Sequence, residues 1–209
     1  MLLVIVNAIS IHDRSNYAYA TTTTLPGFNF AAAGDWGCTD DTTDTVNNII
    51  DKSPELVLGL GDYPYDEDSA DCWLDIIQPI DNIMKIAIGN HDLMGSILTE
   101  ITNHFGLSNQ YYSFDYQNVH FTVMSEYVSD EIGSEQYTFV QNDLAKAAAD
   151  PNIDWIVIVH HVEQYASTKH YDIPDENKWK DTYHPLFEQY NVSTSRTSAQ
   201  LSAYISTNV

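Results

Sequence analysis

Three short polar strings carry the residues of this chain whose types and spacing could do chemistry. They are Gly34-Asp35-Trp36-Gly37, Gly61-Asp62-Tyr63-Pro64-Tyr65 and Gly89-Asn90-His91-Asp92. Their carboxylate, phenol, amide and imidazole groups are ligands that hard or borderline metal ions accept, and together they suit a pair of ions better than one. The strings therefore predict a metal centre.

Each string directly follows a short apolar run, which predicts that a buried strand positions it. The runs are residues 28–33, 56–60 and 86–88. Between them, residues 44–52 and 71–83 have the apolar spacing of helices; Pro54 follows the first, and Pro79 kinks or shortens the second. Strands that alternate with helices form parallel sheets, whose carboxyl ends meet at one edge, where open α/β folds bind their ligands. The order of the elements therefore predicts an α/β fold.

The second half of the chain predicts three further helices, a β-hairpin and one more strand. The helices are residues 97–104, 135–149 and 185–190, the hairpin strands are residues 111–116 and 119–125, and the last strand is residues 155–159. We expect the final helix to begin at Pro185, because proline is favoured at the first position of a helix. His120 lies inside the hairpin, where a structural histidine is the better interpretation.

The composition excludes some functions. The 209 residues include 30 acidic and 8 basic side chains, for a net charge of −22. So acidic a chain repels nucleic acid, and it has no basic stripe for a phosphate backbone, so we expect no nucleic-acid partner. An anionic substrate would need a local positive charge, which bound metal would supply. The length predicts one domain and leaves the oligomeric state open.

The start of the chain has two interpretations. Residues 1–11 are apolar but too short to span a bilayer, and Ala18-Tyr19-Ala20 resembles a signal-peptide cleavage site, although no basic residue precedes the apolar run. We favour an exported protein with a signal peptide over residues 1–20 and a spacer over residues 21–27; the alternative is a first strand. No other segment has the length and apolarity of a transmembrane helix.

The two cysteines, Cys38 and Cys72, follow the first and second strings. Two thiols are too few for a zinc framework. In an exported chain they could form a disulfide, and two free buried thiols are the alternative. Sequence alone does not show whether they meet.

The ordered set of strings, each at the end of an apolar run, resembles the calcineurin-like metallophosphoesterase superfamily, and within it the purple acid phosphatase branch. The fourth matching piece is the strand that opens with Trp155 and ends in histidine, and the resemblance covers roughly residues 28–190. Any one string is weak evidence, whereas the ordered set is fairly specific. The resemblance implies a layered sandwich of mixed β-sheets flanked by helices, over residues 28–192.

The resemblance also implies the roles of the site residues. Asp35 and Tyr65 would bind a first ion, Fe³⁺, with Tyr65 as a phenolate ligand, and Asp62 would bridge to a second ion. Asn90 would bind that second ion, which would be Fe²⁺, Zn²⁺ or Mn²⁺. His91 would face the phosphate and leaving group of a small phosphate-ester substrate. The implied reaction is hydrolysis of phosphate monoesters by a metal-bound hydroxide, with Asp62 and His91 as catalytic residues.

The remaining ligand is one of two adjacent histidines, because neighbouring side chains on a strand face opposite ways. In the related enzymes the ligand lies six residues after one aromatic residue and four before another. Trp155 and Tyr165 therefore select His161, with His160 as the alternative. His170, in the loop beyond, is a further candidate for contact with the substrate phosphate.

One piece of the family pattern is absent. The family supplies two more metal ligands from a Gly-His-x-His turn on a further strand, whereas no histidine follows His184 here and residues 193–209 form an atypical polar tail. We therefore expect the last strand or strands of the sheet to be missing and the neighbouring edge to be open. This leaves two alternatives to an acid phosphatase: a non-catalytic or impaired relic of the fold, and a phosphodiesterase or nucleotidase on the same site.

Overall fold

The computed structural model describes residues 3–7, 28–65, 68–162, 176–190, 192 and 204–205. These residues form eight strands: β1 (Leu3–Asn7), β2 (Asn29–Ala33), β3 (Leu56–Gly59), β4 (Met84–Ile86), β5 (Tyr112–Tyr116), β6 (Val119–Val123), β7 (Trp155–Val159) and β8 (Tyr204–Ile205). The α-helices are α1 (Asp40–Lys52), α2 (Asp71–Ile77), α3 (Ile97–His104), α4 (Glu135–Ala149) and α5 (Glu176–Gln189). Short 3₁₀ turns lie at Asp81–Ile83 and His91–Leu93.

The strands form two four-stranded mixed sheets. In the first sheet the order is β1-β2-β3-β4, with β2, β3 and β4 parallel and β1 antiparallel to β2. In the second sheet the order is β5-β6-β7-β8, with β6 and β7 parallel and the outer strands antiparallel to them. The parallel strands are almost entirely buried, as expected for strands covered on both faces.

Three apolar clusters hold the sheets and helices together in four layers. The cluster between the sheets packs Phe30 and Leu58 of the first sheet against Phe121 and Val159 of the second. A second cluster covers the other face of the first sheet with α1, α2 and α3, and a third covers the other face of the second sheet with α4 and α5. Alternate strand residues supply the two faces, which is the period-2 pattern of a strand. The predicted α/β sandwich of mixed sheets flanked by helices is confirmed.

The predicted elements lie close to the observed ones, and most differences are at their ends. Helices α3 and α4 and strand β7 have the predicted bounds. Helix α1 begins at Asp40 rather than at residue 44. Helix α2 ends at Ile77, two residues before Pro79, because proline has no amide hydrogen with which to continue the helical hydrogen bonds.

The prediction that the final helix begins at Pro185 is wrong. Helix α5 begins at Glu176 and carries Pro185 in its interior. Trp179, Tyr183 and Phe187 recur at every fourth position and are buried against the second sheet, so the packing of this stripe outweighs the lost hydrogen bond. Pro185 itself lies on the exposed side of the helix.

The first and last strands of the chain, β1 and β8, each lie at one edge of a sheet. Strand β1 pairs with all five residues of β2. A first strand at the start of the chain is the second of the two interpretations given above. Residues 8–27 are outside the described part, and the signal peptide stays a prediction. At the other sheet, we expect the edge of β7 to be open, whereas within the described residues β8 pairs with Val157 and Ile158. Among the described residues, no helix has the length and apolarity needed to cross a membrane.

Candidate metal centre

The loops that follow β2 and β3 run side by side and bring two aspartates to one edge of the first sheet. The amides of Asp35, Trp36 and Gly37 donate to the carbonyls of Gly61, Asp62 and Tyr63 at 3.1, 2.8 and 2.7 Å. Asp35 and Asp62 both have left-handed backbone conformations, with φ of 56° and 58°. Aspartate tolerates this conformation better than most residues. The parallel pairing thus continues past the strand ends and places both carboxylates in the same turn geometry.

Tyr65 reaches from the second string to the carboxylate of the first. Its Oη donates a hydrogen bond to Asp35 Oδ1 at 2.6 Å. Burial, this bond and the neighbouring Asp62 charge raise the pKa of Tyr65 well above its ordinary value. Without a cation the phenol therefore keeps its proton, and only a strong positive charge at this position would convert it into a phenolate ligand.

A disulfide joins the loop after β2 to helix α2, which follows the loop that carries Asp62 and Tyr65. Cys38, in the loop after β2, is bonded to Cys72, in the first turn of α2, with their Cα atoms 5.9 Å apart. Of the two alternatives left open by the sequence, the structure has the disulfide. The bond braces the loop of Asp35 against the segment that follows Tyr65.

Asp62 is the buried centre of the cluster, with a relative exposure of 4%. Its Oδ1 accepts a hydrogen bond from the His91 amide at 2.9 Å, and its Oδ2 lies 3.5 Å from Nε2 of His161. Burial raises the pKa of this carboxyl, but the hydrogen bond and charge of His161 and the bond from His91 outweigh it, and the pKa lies below the ordinary value. Asp62 is therefore ionised, with its two oxygens directed to different partners.

His161 faces Asp62 across the gap between the two sheets. Its Nδ1 lies 2.8 Å from the Leu60 carbonyl, so Nδ1 carries a proton and Nε2 is the nitrogen directed at Asp62. Burial lowers the pKa of His161, but Asp62 outweighs it and raises this pKa to about 9. A metal ion at this position would replace the Nε2 proton, because imidazole binds metals in its neutral form.

His160 points the opposite way. It is fully buried, its Nδ1 lies 2.7 Å from Glu126 Oε1, and its ring packs against Trp179 with the centroids 4.7 Å apart. Of the two adjacent histidines, only His161 is directed at Asp62.

The third string contributes a histidine beside Tyr65 and a more exposed asparagine. The His91 ring lies 4.4 Å from the Tyr65 ring, and its Nδ1 is buried without a hydrogen-bond partner among the described residues. Asn90 Oδ1 lies 3.5 Å from the hydroxyl of Tyr127, which in turn has its ring 6.5 Å from that of His161. His170 lies outside the described residues, so its predicted contact with the substrate stays a prediction.

Asp92 is a site residue to which the sequence reasoning gave no role, although it stands in the third string. Its side chain is fully buried and accepts hydrogen bonds from the amides of Asp62, Tyr63 and Gly89 at 3.0, 2.8 and 2.7 Å. Burial raises the pKa of Asp92 to about 7, against the effect of these amides. One carboxylate thus joins the second string to the third.

Gly89 leaves the space that Asp62 occupies. A Cβ at Gly89 would lie 2.2 Å from Asp62 Oδ1 and 2.4 Å from its amide nitrogen. The glycine of the third string is therefore required by close approach and not only by the turn.

The donor chemistry fits a metal centre built partly from neutral side chains. In the described ranges, no three His, Cys, Asp or Glu side chains lie close enough to hold an ion by themselves. The cluster depends on the phenol of Tyr65 and the amide of Asn90 in addition to its carboxylates. Bound cations and an anionic ligand would satisfy the Asp35–Tyr65 contact, the Asp62–His161 contact and His91 Nδ1, which has no hydrogen-bond partner within the described part of the chain.

Comparison with known proteins gives a consistent picture. The family model for calcineurin-like phosphoesterases matches residues 28–194. Purple acid phosphatase 15 from Arabidopsis thaliana is 28% identical over 203 residues, covering 77% of this chain and 38% of that protein, and purple acid phosphatase 22 from the same plant is 26% identical, covering 71% and 38%. The structure of purple acid phosphatase PPD1 from yellow lupin (Lupinus luteus) seeds superposes with a TM-score of 0.61 at 19% identity, covering 80% of this chain and 39% of that one. The chain thus spans about two fifths of the length of these relatives.

Proposed function

The chain belongs to the calcineurin-like phosphoesterase family, and we propose that it is a metal-dependent phosphoesterase of the acid phosphatase type that hydrolyses phosphate monoesters. The observation that carries the proposal is the position of Asp62. This carboxylate is buried and ionised, and its two oxygens are directed to His91 on one side and His161 on the other. A side chain in this position is suited to bridge two ions.

The other donors divide into two sets around this carboxylate. Asp35 and Tyr65 would complete the site of the first ion, which we propose is Fe³⁺. Asn90 and His161 would complete the site of the second ion, which we propose is Fe²⁺, Zn²⁺ or Mn²⁺. Bound ions would supply the positive charge that polarises a phosphoryl group and makes water a nucleophile near neutral pH.

His91 is the residue that we propose donates a proton to the leaving oxygen. Its amide donates to Asp62 and its ring packs against Tyr65, so the imidazole is held beside both side chains. An imidazole at this position can act as a general acid and donate a proton to a departing alkoxide. Asp92 supports this arrangement by holding the amides of both loops.

The electrostatics of the chain support metal dependence. Asp35 and Asp62 are close to each other in a protein of net charge −22, so the site without cations would repel a phosphate group. Phosphate esters would therefore bind only when ions offset these carboxylates.

The proposal is tested with the purified 209-residue chain. We would measure iron, zinc and manganese content together with the visible spectrum, and then the hydrolysis of an aryl phosphate monoester and of the matching diester. Asp62→Asn should lower metal content and reduce monoester hydrolysis by more than about 100-fold, since the loss of even outer residues of a metal site costs ~10–100-fold. Asp44→Asn, on the exposed face of α1, makes the same change of charge and should leave both unchanged.

Each contrary result has a distinct meaning. Full activity in Asp62→Asn would refute the proposed centre. Absence of both metal uptake and hydrolysis in the wild type would favour the non-catalytic relic. Faster hydrolysis of the diester would favour a phosphodiesterase on the same residues.

A further inference from the structure

The segment Ser125–Tyr127, which follows β6, joins the metal centre although it contains none of the polar strings. Glu126 extends from it to the end of β7. Its Oε1 accepts a hydrogen bond from the Val162 amide at 3.0 Å and lies 2.7 Å from His160 Nδ1. These two partners are the residues immediately before and after His161. A single carboxylate oxygen therefore holds the chain on both sides of the proposed metal ligand.

The backbone that carries Glu126 is itself held firmly. The Ser125 amide donates to Gln136 Oε1, and Gln136 Nε2 donates to the Ser125 carbonyl, both at 2.8 Å. The Ser125 hydroxyl donates to Gln110 Oε1 at 2.8 Å. Helix α4, which contains Gln136, thus fixes the start of the segment, and Glu126 acts from a rigid base.

This contact is costly if stability is its only purpose. The Glu126 side chain is 6% exposed and the His160 side chain 0%. The second oxygen of Glu126, Oε2, is buried without a hydrogen-bond partner among the described residues. A buried carboxylate with an unsatisfied oxygen destabilises a fold, and apolar pairs of similar size are often as stable as buried ionic pairs or more so.

We propose that Glu126 is a positioning residue, which acts through His160 and Val162 to direct Nε2 of His161 at Asp62. His160 completes the link to the helical layer, because its ring rests on Trp179 of α5. The inference rests on the proposed metal centre and names one more residue that the second ion requires. It assigns Glu126 no contact with substrate or ion.

The test measures the affinity of the metal-depleted 209-residue chain for Zn²⁺ by competition with a chromophoric chelator. The cooperativity of urea unfolding is measured alongside. Glu126→Ala should weaken binding of one ion by about 10–100-fold. Glu126→Gln keeps the shape and one acceptor oxygen, and should recover most of this loss. Glu131→Ala removes a carboxylate from the same connection between β6 and α4, where its side chain is 70% exposed, and should leave affinity unchanged.

A double-mutant cycle separates positioning from a general loss of structure. If Glu126 acts through His161, Glu126→Ala should add almost nothing to His161→Ala, because coupled residues are not additive. The paired variant Glu126→Met with His160→Met fills the site with apolar groups, so it should fold while still losing the affinity.

Three results would overturn the proposal: additive effects of Glu126→Ala and His161→Ala, wild-type affinity in a folded Glu126→Ala variant, or wild-type affinity in the paired methionine variant. Failure of the wild type to bind Zn²⁺ at all would instead refute the metal centre proposed above, and with it this role.

Discussion

The disulfide between Cys38 and Cys72 allows a quantitative prediction. Replacing both residues with alanine removes a cross-link between positions 34 residues apart. In the chain-entropy description, closing a loop of this size removes about 4 kcal/mol of conformational freedom from the unfolded chain at 25 °C. We therefore expect the free energy of unfolding to fall by about 4 kcal/mol, equivalent to a decrease of roughly 8–16 °C in the melting temperature of a domain of this size.

The assay is urea unfolding followed by circular dichroism, for the wild type with and without reductant and for the double variant. Cys38 packs against the apolar cluster that α1, α2 and α3 form with the first sheet. A double serine variant therefore serves as a second replacement, which distinguishes lost packing from the lost cross-link. Reductant should destabilise the wild type as much as the substitutions do and should not affect either variant. A loss below about 1 kcal/mol, or equal sensitivity of the variants to reductant, would refute the reasoning.

Three further changes follow from contacts of the site and of the second sheet. Gly89→Ala should displace the Asp62 carboxylate and weaken Zn²⁺ binding by at least about 10-fold in the chelator assay; wild-type affinity would show that the contact is not limiting. Asp92→Ala leaves three amides without their acceptor and should cost about 3 kcal/mol or more in urea unfolding, and a cost below about 1 kcal/mol would contradict the role given to it. Burial lowers the pKa of His120, but the hydrogen bonds and charges of Asp143 and Asp115 outweigh burial, and the pKa is raised. Burial raises the pKa of Asp143, but the bonds from His120 and two hydroxyls and the charge of His120 outweigh burial, and this pKa is lowered. The stability from this pair is therefore complete between the ordinary values of 3.8 and 6.5 and is lost as the pH rises through the raised pKa of His120, so His120→Gln should reduce the pH dependence of unfolding above 6.5, where the raised pKa of His161 also contributes, and an unchanged profile would refute the pairing.

The parts of the fold that could be predicted are those whose signals are local. Helix α4 has a capping residue, Ser134, whose side chain accepts from the Tyr137 amide, and Pro151 follows its end, so both limits are visible in the sequence. Strand β7 is an unbroken β-branched and apolar run. The start of α5 could not be found this way, because a proline preference at the first helical turn conflicted with packing that only the folded chain reveals.

The residues of the candidate site also divide into those with a local sequence signal and those without one. Strings at strand ends indicated Asp35, Asp62, Tyr65, Asn90 and His91, and the structure brings all of them to one edge. Strand alternation indicated that only one of the adjacent histidines could face this edge, but the choice between them came from the spacing of flanking aromatics. Glu126 and Tyr127 gave no signal, because the segment after β6 has no glycine turn and its contacts depend on how the second sheet lies against the first. His120 is hydrogen-bonded through both ring nitrogens, as the structural interpretation predicts.

The contact between Asp62 and His161, which joins the two sheets, has a thermodynamic consequence. Asp62 follows β3 of the first sheet and His161 follows β7 of the second, and the bond from His161 to the Leu60 carbonyl joins groups 101 residues apart. An ion shared by these side chains would act as a cross-link between the two sheets, in addition to the apolar cluster that already packs them together. Its binding energy would be linked to their association and would add about 2.7 kcal/mol at a free metal concentration 100-fold above the dissociation constant. Removal of metal would then weaken the association of the two sheets and leave the strand pairing within each sheet intact.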